Sequence, residues 1–174
     1  LPLYPKAIES FNLENFDLCI SISHSVAKGV SPPPNCLHIC ICLTPMRYIW
    51  DRFDDYFGPD NSGFIKRYLA KKTFASLRKW DVESSTRVDL FVAISEFVRD
   101  RINKFYGRNS TVIYPFADTD FFKPPEGAAA SKQIEETRFF LAVSALVPYK
   151  RIHEIVEAFN MLDERLIIVG DGPE

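Results

Sequence analysis

FFLAVSALVPYKRIHEIVEAFNMLDERLIIVGDGPE, residues 139–174, is the stretch whose reading decides the fold. Phe139–Ser144 is a short apolar run followed by a loop, Ala145–Tyr149, and reads as a buried strand. Lys150 and Arg151 then open a helix. Its Ile152, Ile155, Val156 and Phe159 recur at i, i+3, i+4 and i+7, which makes one apolar stripe. A second apolar run, Leu166–Val169, stops at Gly170-Asp171-Gly172-Pro173. Strand, helix and strand in this order predict a β-α-β unit with parallel strands. Open α/β sheets bind ligands beyond the carboxyl ends of their strands, and a helix N-terminus favours anions. Lys150 and Arg151 are therefore candidates to hold a diphosphate, with Gly170, Asp171 and Gly172 as the neighbouring turn. The plainer alternatives are two surface cations and a tight turn, because Gly-x-Gly without its helix is a weak phosphate signal.

Upstream the same rhythm holds. Asp17–Ser23, His38–Leu43, Val88–Ile94 and Thr111–Tyr114 read as strands, and His38–Leu43 is apolar on both faces, as in a sheet covered on both sides. Each strand is followed by a helix or a crossover, so the class is α/β with a parallel sheet. Met46–Phe57 is an aromatic-rich loop or short helix, and Ile65–Trp80 a helix with Ile65, Leu69, Leu77 and Trp80 toward the core. Ser95 is placed to cap the helix after the third strand, and Gly107 to end it. Phe116–Thr137 loses apolar periodicity and reads as a linker. Residues 1–118 then form one domain and 119–174 begin another, with both sheets incomplete.

Composition narrows the function. Apolar residues make up 47%, charged residues 25%, and the net charge is −2, so nothing favours nucleic acid as a partner. No apolar run is long enough for a membrane helix, and the start lacks a secretory-signal layout, so the chain reads as cytoplasmic and as beginning within a protein. The basic set Arg67, Lys71, Lys72, Arg78 and Lys79 reads as a solvated helix face. Peripheral contact with an anionic membrane surface is the alternative. Cys36, His38, Cys40 and Cys42 alternate along one strand face and resemble a zinc set, but they span ~20 Å. Four ligands of one ion must each lie at ~2.0–2.3 Å. No metal is expected, and the cysteines read as buried thiols.

Two further segments follow strands directly. His24, in Ser23-His24-Ser25, is placed for proton transfer or for binding a sugar hydroxyl. The Thr44–Asp51 segment brings Thr44, Arg47, Tyr48, Trp50 and Asp51, a mixture suited to gripping a sugar or phosphate. Structural histidine and aromatic packing are the plain alternatives. No Ser/His/Asp order, no Cys-x-x-Cys and no Walker loop is present.

SISHSVAKGV, LTPMRYIWD, RVDLFVAISEFVRDRINKFYGR, VIYPFADTDFF and VSALVPYKRIHEIVEAFN with LIIVGDGPE stand in one order along the chain. In that order they resemble the family-four retaining glycosyltransferases, nearest to bacterial mannosyltransferase-like members of polysaccharide biosynthesis. The resemblance implies the GT-B architecture, two Rossmann-like domains around a cleft, of which this chain would be an internal fragment, expected to be inactive on its own. It implies transfer of a sugar from a nucleotide-diphosphate donor, GDP-mannose or a UDP-sugar, to a glycan or lipid-linked acceptor, with no metal or other cofactor. By the same resemblance Lys150 would contact the donor diphosphate, and His24 with Thr44–Asp51 would face the acceptor. Two positions depart from the pattern. Ala145 stands where the family has arginine, and Leu43 where it has the histidine of His-Thr-Pro. A non-catalytic glycosyltransferase-like scaffold is the alternative reading, and a nicotinamide-dependent Rossmann enzyme a third.

Overall fold

A computed structural model of the protein describes residues 3–58, 63–123 and 139–173. The chain divides into two compact units, Leu1–Phe116 and Ala117–Glu174. Most of the expected linker, 124–137, lies outside the described residues.

The first unit opens with α1 (Tyr4–Glu9) and continues through β1 (Leu18–Ser23), β2 (Leu37–Cys42), α2 (Arg47–Trp50), α3 (Phe53–Phe57), α4 (Phe64–Ser85), β3 (Leu90–Ala93), α5 (Glu96–Tyr106) and β4 (Thr111–Val112). The four strands form one parallel sheet in the order β1-β2-β3-β4. Ser23 pairs in register with Cys42, Cys42 with Ala93, and Ala93 with Val112. Their carboxyl ends therefore lie in line, and the connections after β1, β2 and β3 leave from one edge.

The sheet is covered on one face. Ser21, Ser23, His38, Cys40, Cys42, Phe91 and Ala93 are buried there, whereas Leu18, Ile20, Ile22 and Leu90 on the opposite face are exposed. On the second strand, Ile39 and Ile41 of that other face are half-buried, so the expectation of two covered faces is met in part among the described residues. Strand alternation presents small thiols, serines and one histidine to the approaching helices, and turns the bulkier aliphatic residues to the other side. The polar members are satisfied. His38 Nδ1 lies 3.1 Å from the Arg87 carbonyl, which can only accept, so Nδ1 carries the proton and Nε2 accepts from Ser21 Oγ at 2.9 Å. Burial holds the His38 imidazole below its ordinary pKa, in keeping with this neutral form. All four cysteines are free thiols, and burial pushes Cys42 up to about 12. Among the described residues no group of three or more His, Cys, Asp or Glu is placed to hold a metal ion.

α5 follows its sequence signals. The Ser95 hydroxyl accepts from Val98 N at 3.2 Å, and Gly107 ends the helix at φ 64, a conformation that suits residues without a Cβ. Val98, Ile102 and Tyr106 are its buried stripe, with Phe105 partly buried. α4 departs from expectation. Its buried positions are Ala70, Phe74, Leu77, Asp81, Ser84 and Ser85, while Ile65 and Leu69 are 74% and 57% exposed. The helix is longer than its apolar pattern suggested, and its core contacts lie toward its C-terminal part. Its cations also have work within the unit. Arg67 pairs with Asp54 at 2.8 Å, Lys71 lies over the Phe53 ring, Arg78 donates to the Ile49 carbonyl, and Lys79 faces Glu83. No described helix is long and apolar enough to cross a membrane.

The second unit contains β5 (Phe140–Val143), a 3-10 turn at Pro148–Lys150, α6 (Ile152–Phe159) and β6 (Leu166–Val169). β5 and β6 pair in parallel, from Phe140 against Leu166 to Val143 against Val169, but Phe140, Leu141 and Val143 are exposed among the described residues, which corrects the expectation of a buried strand. Ile152 is buried, and the rings of Phe140 and Phe159 meet at 5.1 Å, fixing α6 on the strands.

Candidate functional site

A cavity of about 700 Å³ opens at the carboxyl edge of the first sheet. Its walls come from successive connections: His24 and Ser25 after β1, Leu43 and Thr44 after β2, Arg47 and Tyr48 from α2, Phe97 and Val98 from α5, and Tyr4 from α1. Pro45, buried behind Thr44, cannot donate to a β-ladder, so the chain leaves the sheet there and turns into α2.

Hydroxyl groups tie the walls together. Ser25 Oγ and Tyr48 Oη are 2.8 Å apart, joining the connection after β1 to that after β2. Tyr48 Oη also points its proton at Met46 Sδ, 3.0 Å away, which leaves Ser25 as the donor to Tyr48. Burial raises the Tyr48 phenol above the ordinary tyrosine pKa, against the opposing hydrogen bond from Ser25. Thr44 Oγ1 accepts from Arg101 Nε at 3.1 Å. The site thus offers an imidazole, a guanidinium and several hydroxyls beside an apolar wall of Leu43, Phe97 and Val98. Such a set can orient a hydroxylated ligand, and His24 can move a proton.

Of the six residues proposed from sequence for this side, the structure brings together His24, Thr44, Arg47 and Tyr48. Trp50 and Asp51 do not line the cavity. The Trp50 indole stacks on Phe105 at 4.6 Å and donates to Asp81 Oδ2 at 2.8 Å. Asp51 is ion-paired with Arg101, which also donates to the Pro45 carbonyl, so the pair braces the segment after β2. Sequence reasoning passed over Ser25 and Phe97. Phe97 had a visible signal: it is a large aromatic off the Val98–Ile102 stripe, in the first turn after a strand, and it is 70% exposed.

The first unit also holds a buried charged cluster that the sequence reading did not single out. Lys28 and Asp81 are both buried, with Lys28 Nζ 2.9 Å from Asp81 Oδ1. The ammonium directs hydrogen bonds to the Asp81 carbonyl at 2.6 Å and Ser84 Oγ at 2.7 Å, and meets Oδ1 as an ion pair. Asp81 Oδ2 accepts from Trp50 and, at 3.0 Å, from the Tyr106 hydroxyl. The Tyr106 and Trp80 rings flank the ammonium at 4.8 and 5.5 Å. Desolvation lowers the Lys28 pKa, and Asp81 opposes that shift.

In the second unit, Lys150 ends the 3-10 turn and Arg151 caps α6 in the left-handed region, at φ 54. Arg151 pairs with Glu154 at 2.8 Å, and the Lys150 ammonium lies 5.7 Å from the Tyr149 ring centre. Gly170 and Gly172 press against the loop after β5. A Cβ on Gly170 would stand well inside van der Waals distance of the Ser144 carbonyl oxygen, and one on Gly172 would strike the Leu146 backbone. Leu146 N donates to the Asp171 carbonyl at 2.9 Å, and Asp171 Oδ1 accepts from Gly172 N at 2.8 Å. The glycines therefore permit two backbones to meet, and Asp171 braces its own turn. The loop bearing Lys150 is seated on that turn.

Neither the family models nor the curated proteins compared with this chain give a match.

Proposed function

We propose that the chain belongs to a retaining glycosyltransferase with two Rossmann-like domains in the GT-B arrangement. The first unit would receive the acceptor and the second would begin the donor site. The observation that carries this reading is the cavity at the carboxyl edge of the first sheet, lined by His24, Ser25, Thr44, Arg47 and Tyr48. Supporting it is the β5-loop-α6-β6 unit, which sets Lys150 at the start of a helix. In the proposed reaction the donor diphosphate lies against Lys150, Arg151 and the Gly170–Gly172 turn. The bond from the sugar C1 to the phosphate oxygen breaks while a bond from C1 to the acceptor oxygen forms on the same face. The acceptor proton passes to the departing phosphate, and the cation with the helix N–H groups stabilises the charge left there. His24 and the hydroxyls of Ser25 and Thr44 hold the acceptor hydroxyl. The donor would be GDP-mannose or a UDP-sugar, the acceptor a glycan or lipid-linked glycan. The reaction would sit in the cytoplasm or on the inner face of a membrane, with Lys72 among the cations free to face it.

The test is transfer by the full-length protein from a panel of nucleotide sugars, followed by mass spectrometry of the products. His24→Ala is expected to lower kcat/KM by about 10²-fold or more. Transfer unaffected by His24→Ala, or none from any donor, contradicts the reading.

One observation favours a second reading, a glycosyltransferase-like scaffold that binds without turnover. Leu43 occupies the cavity wall where the family resemblance calls for histidine. A large gain of transfer in Leu43→His supports a lapsed enzyme. Good activity with Leu43 in place removes that reading.

A further inference from the structure

Each donor to Asp81 belongs to a different strand-end connection. Lys28 lies in the turn that follows His24 and Ser25. Trp50 ends α2, which carries Arg47 and Tyr48. Tyr106 ends α5, whose first turn supplies Phe97 and Val98. One carboxylate on α4 therefore gathers the three connections that wall the cavity, and neither Asp81 nor any of its three partners lines it. A second tie reinforces the first: Lys28 N donates to Ser23 Oγ at 3.3 Å, and that hydroxyl donates to the Ser25 carbonyl at 3.1 Å.

From this geometry we infer that Asp81 is a positioning residue, whose buried carboxylate sets the spacing of His24 and Ser25 against Arg47 and Tyr48. The role in transfer rests on the proposed function; the role in cavity shape does not. Stability alone gives a weak reason for such a cluster, since well-packed apolar side chains of similar volume commonly serve a core as well or better. A carboxylate supplies what they lack, namely directional acceptance from two donors and a charge that anchors a third.

The test uses two variants. Lys28→Met/Asp81→Asn removes both charges together and avoids the uncompensated ion that either single change leaves. Trp50→Phe removes only the indole N–H and keeps an aromatic ring against Phe105. The reporter is the Tyr48 phenol in protein carrying ¹³C at tyrosine Cζ, whose pKa is raised first by burial between the two connections and also by the Asp81 charge, so Trp50→Phe, which keeps that charge, separates lost spacing from the direct effect of the charge. In both variants Tyr48 is expected to ionise at lower pH than in the native protein. Transfer kcat/KM is expected to fall about 100-fold, the scale of a 1 Å misplacement. A double variant that melts like the native protein and shows native Tyr48 titration overturns the inference. If that variant fails to fold, Trp50→Phe decides alone: an unmoved Tyr48 overturns it, and a shifted one supports it. Absence of transfer in the native protein would sink the proposed reaction, while the Tyr48 titration would still judge Asp81.

Discussion

In the first unit the connections after β1, β2 and β3 converge on one buried carboxylate, whereas in the second the connection after β5 is seated on a backbone turn that only glycine allows. The first arrangement uses side-chain charge removed from water. The second uses the absence of side chains, and leaves Lys150 and Arg151 exposed. The contrast teaches that residues shaping a ligand edge need not be those that touch the ligand. Lys28, Asp81, Gly170 and Gly172 carry the shape, while His24, Arg47 and Lys150 are the groups proposed to meet a ligand.

This contrast predicts a graded set of effects. Asp81→Ala leaves the Lys28 ammonium buried without its counter-charge and is expected to destabilise the first unit by about 3–5 kcal/mol, read by denaturant titration. A loss under 1 kcal/mol would mean that the cluster is dispensable. Gly170→Ala must push the loop after β5 off its turn, at roughly 1–3 kcal/mol, the usual range for overpacking. Thermal melting should show that loss, whereas Gly63→Ala meets no neighbouring atom and should not show an overpacking penalty. A Gly170→Ala protein as stable as the native one would break the comparison on its second side.

The third effect depends on pH. His38 has a folded pKa below its unfolded value, so between the two the unfolded chain binds more protons. Its contribution is fully present above about pH 6.5 and is lost as pH falls through that window, with a slope of at most about 1.4 kcal/mol per pH unit. Stability measured from pH 7 to pH 5 should fall less steeply in His38→Gln than in the native protein. The smallest effect is that of Ser95→Ala, which removes the cap of α5 and should lower stability by about 1 kcal/mol in denaturant titration.

Apolar periodicity made much of the fold legible. The six strands appear within a residue or two of the runs read from sequence, and Ser95 and Gly107 mark both ends of α5 as their chemistry implied. Legibility failed where the deciding contact is distant in sequence. Lys28 stood inside a quoted segment, yet its partner Asp81 lies 53 residues away on a helix whose charges read as solvated. Trp50 and Asp51 looked like ligand contacts because their types suit sugars, but distant partners on α4 and α5 draw them off. Ile65 and Leu69 showed a helical period without showing that their turn lacks a core to meet. The Gly170–Gly172 turn was visible, and its reason, a meeting of two backbones, was not.

The most direct test of the account is calorimetric titration of the full-length protein with GDP-mannose and UDP-glucose, repeated for Lys150→Ala. The account predicts saturable binding of at least one of them, weakened about tenfold or more by the substitution, as expected for a lost charge-assisted contact of about 1.4 kcal/mol or more. Equal affinity in the two proteins, or no heat of binding with either donor, would contradict it.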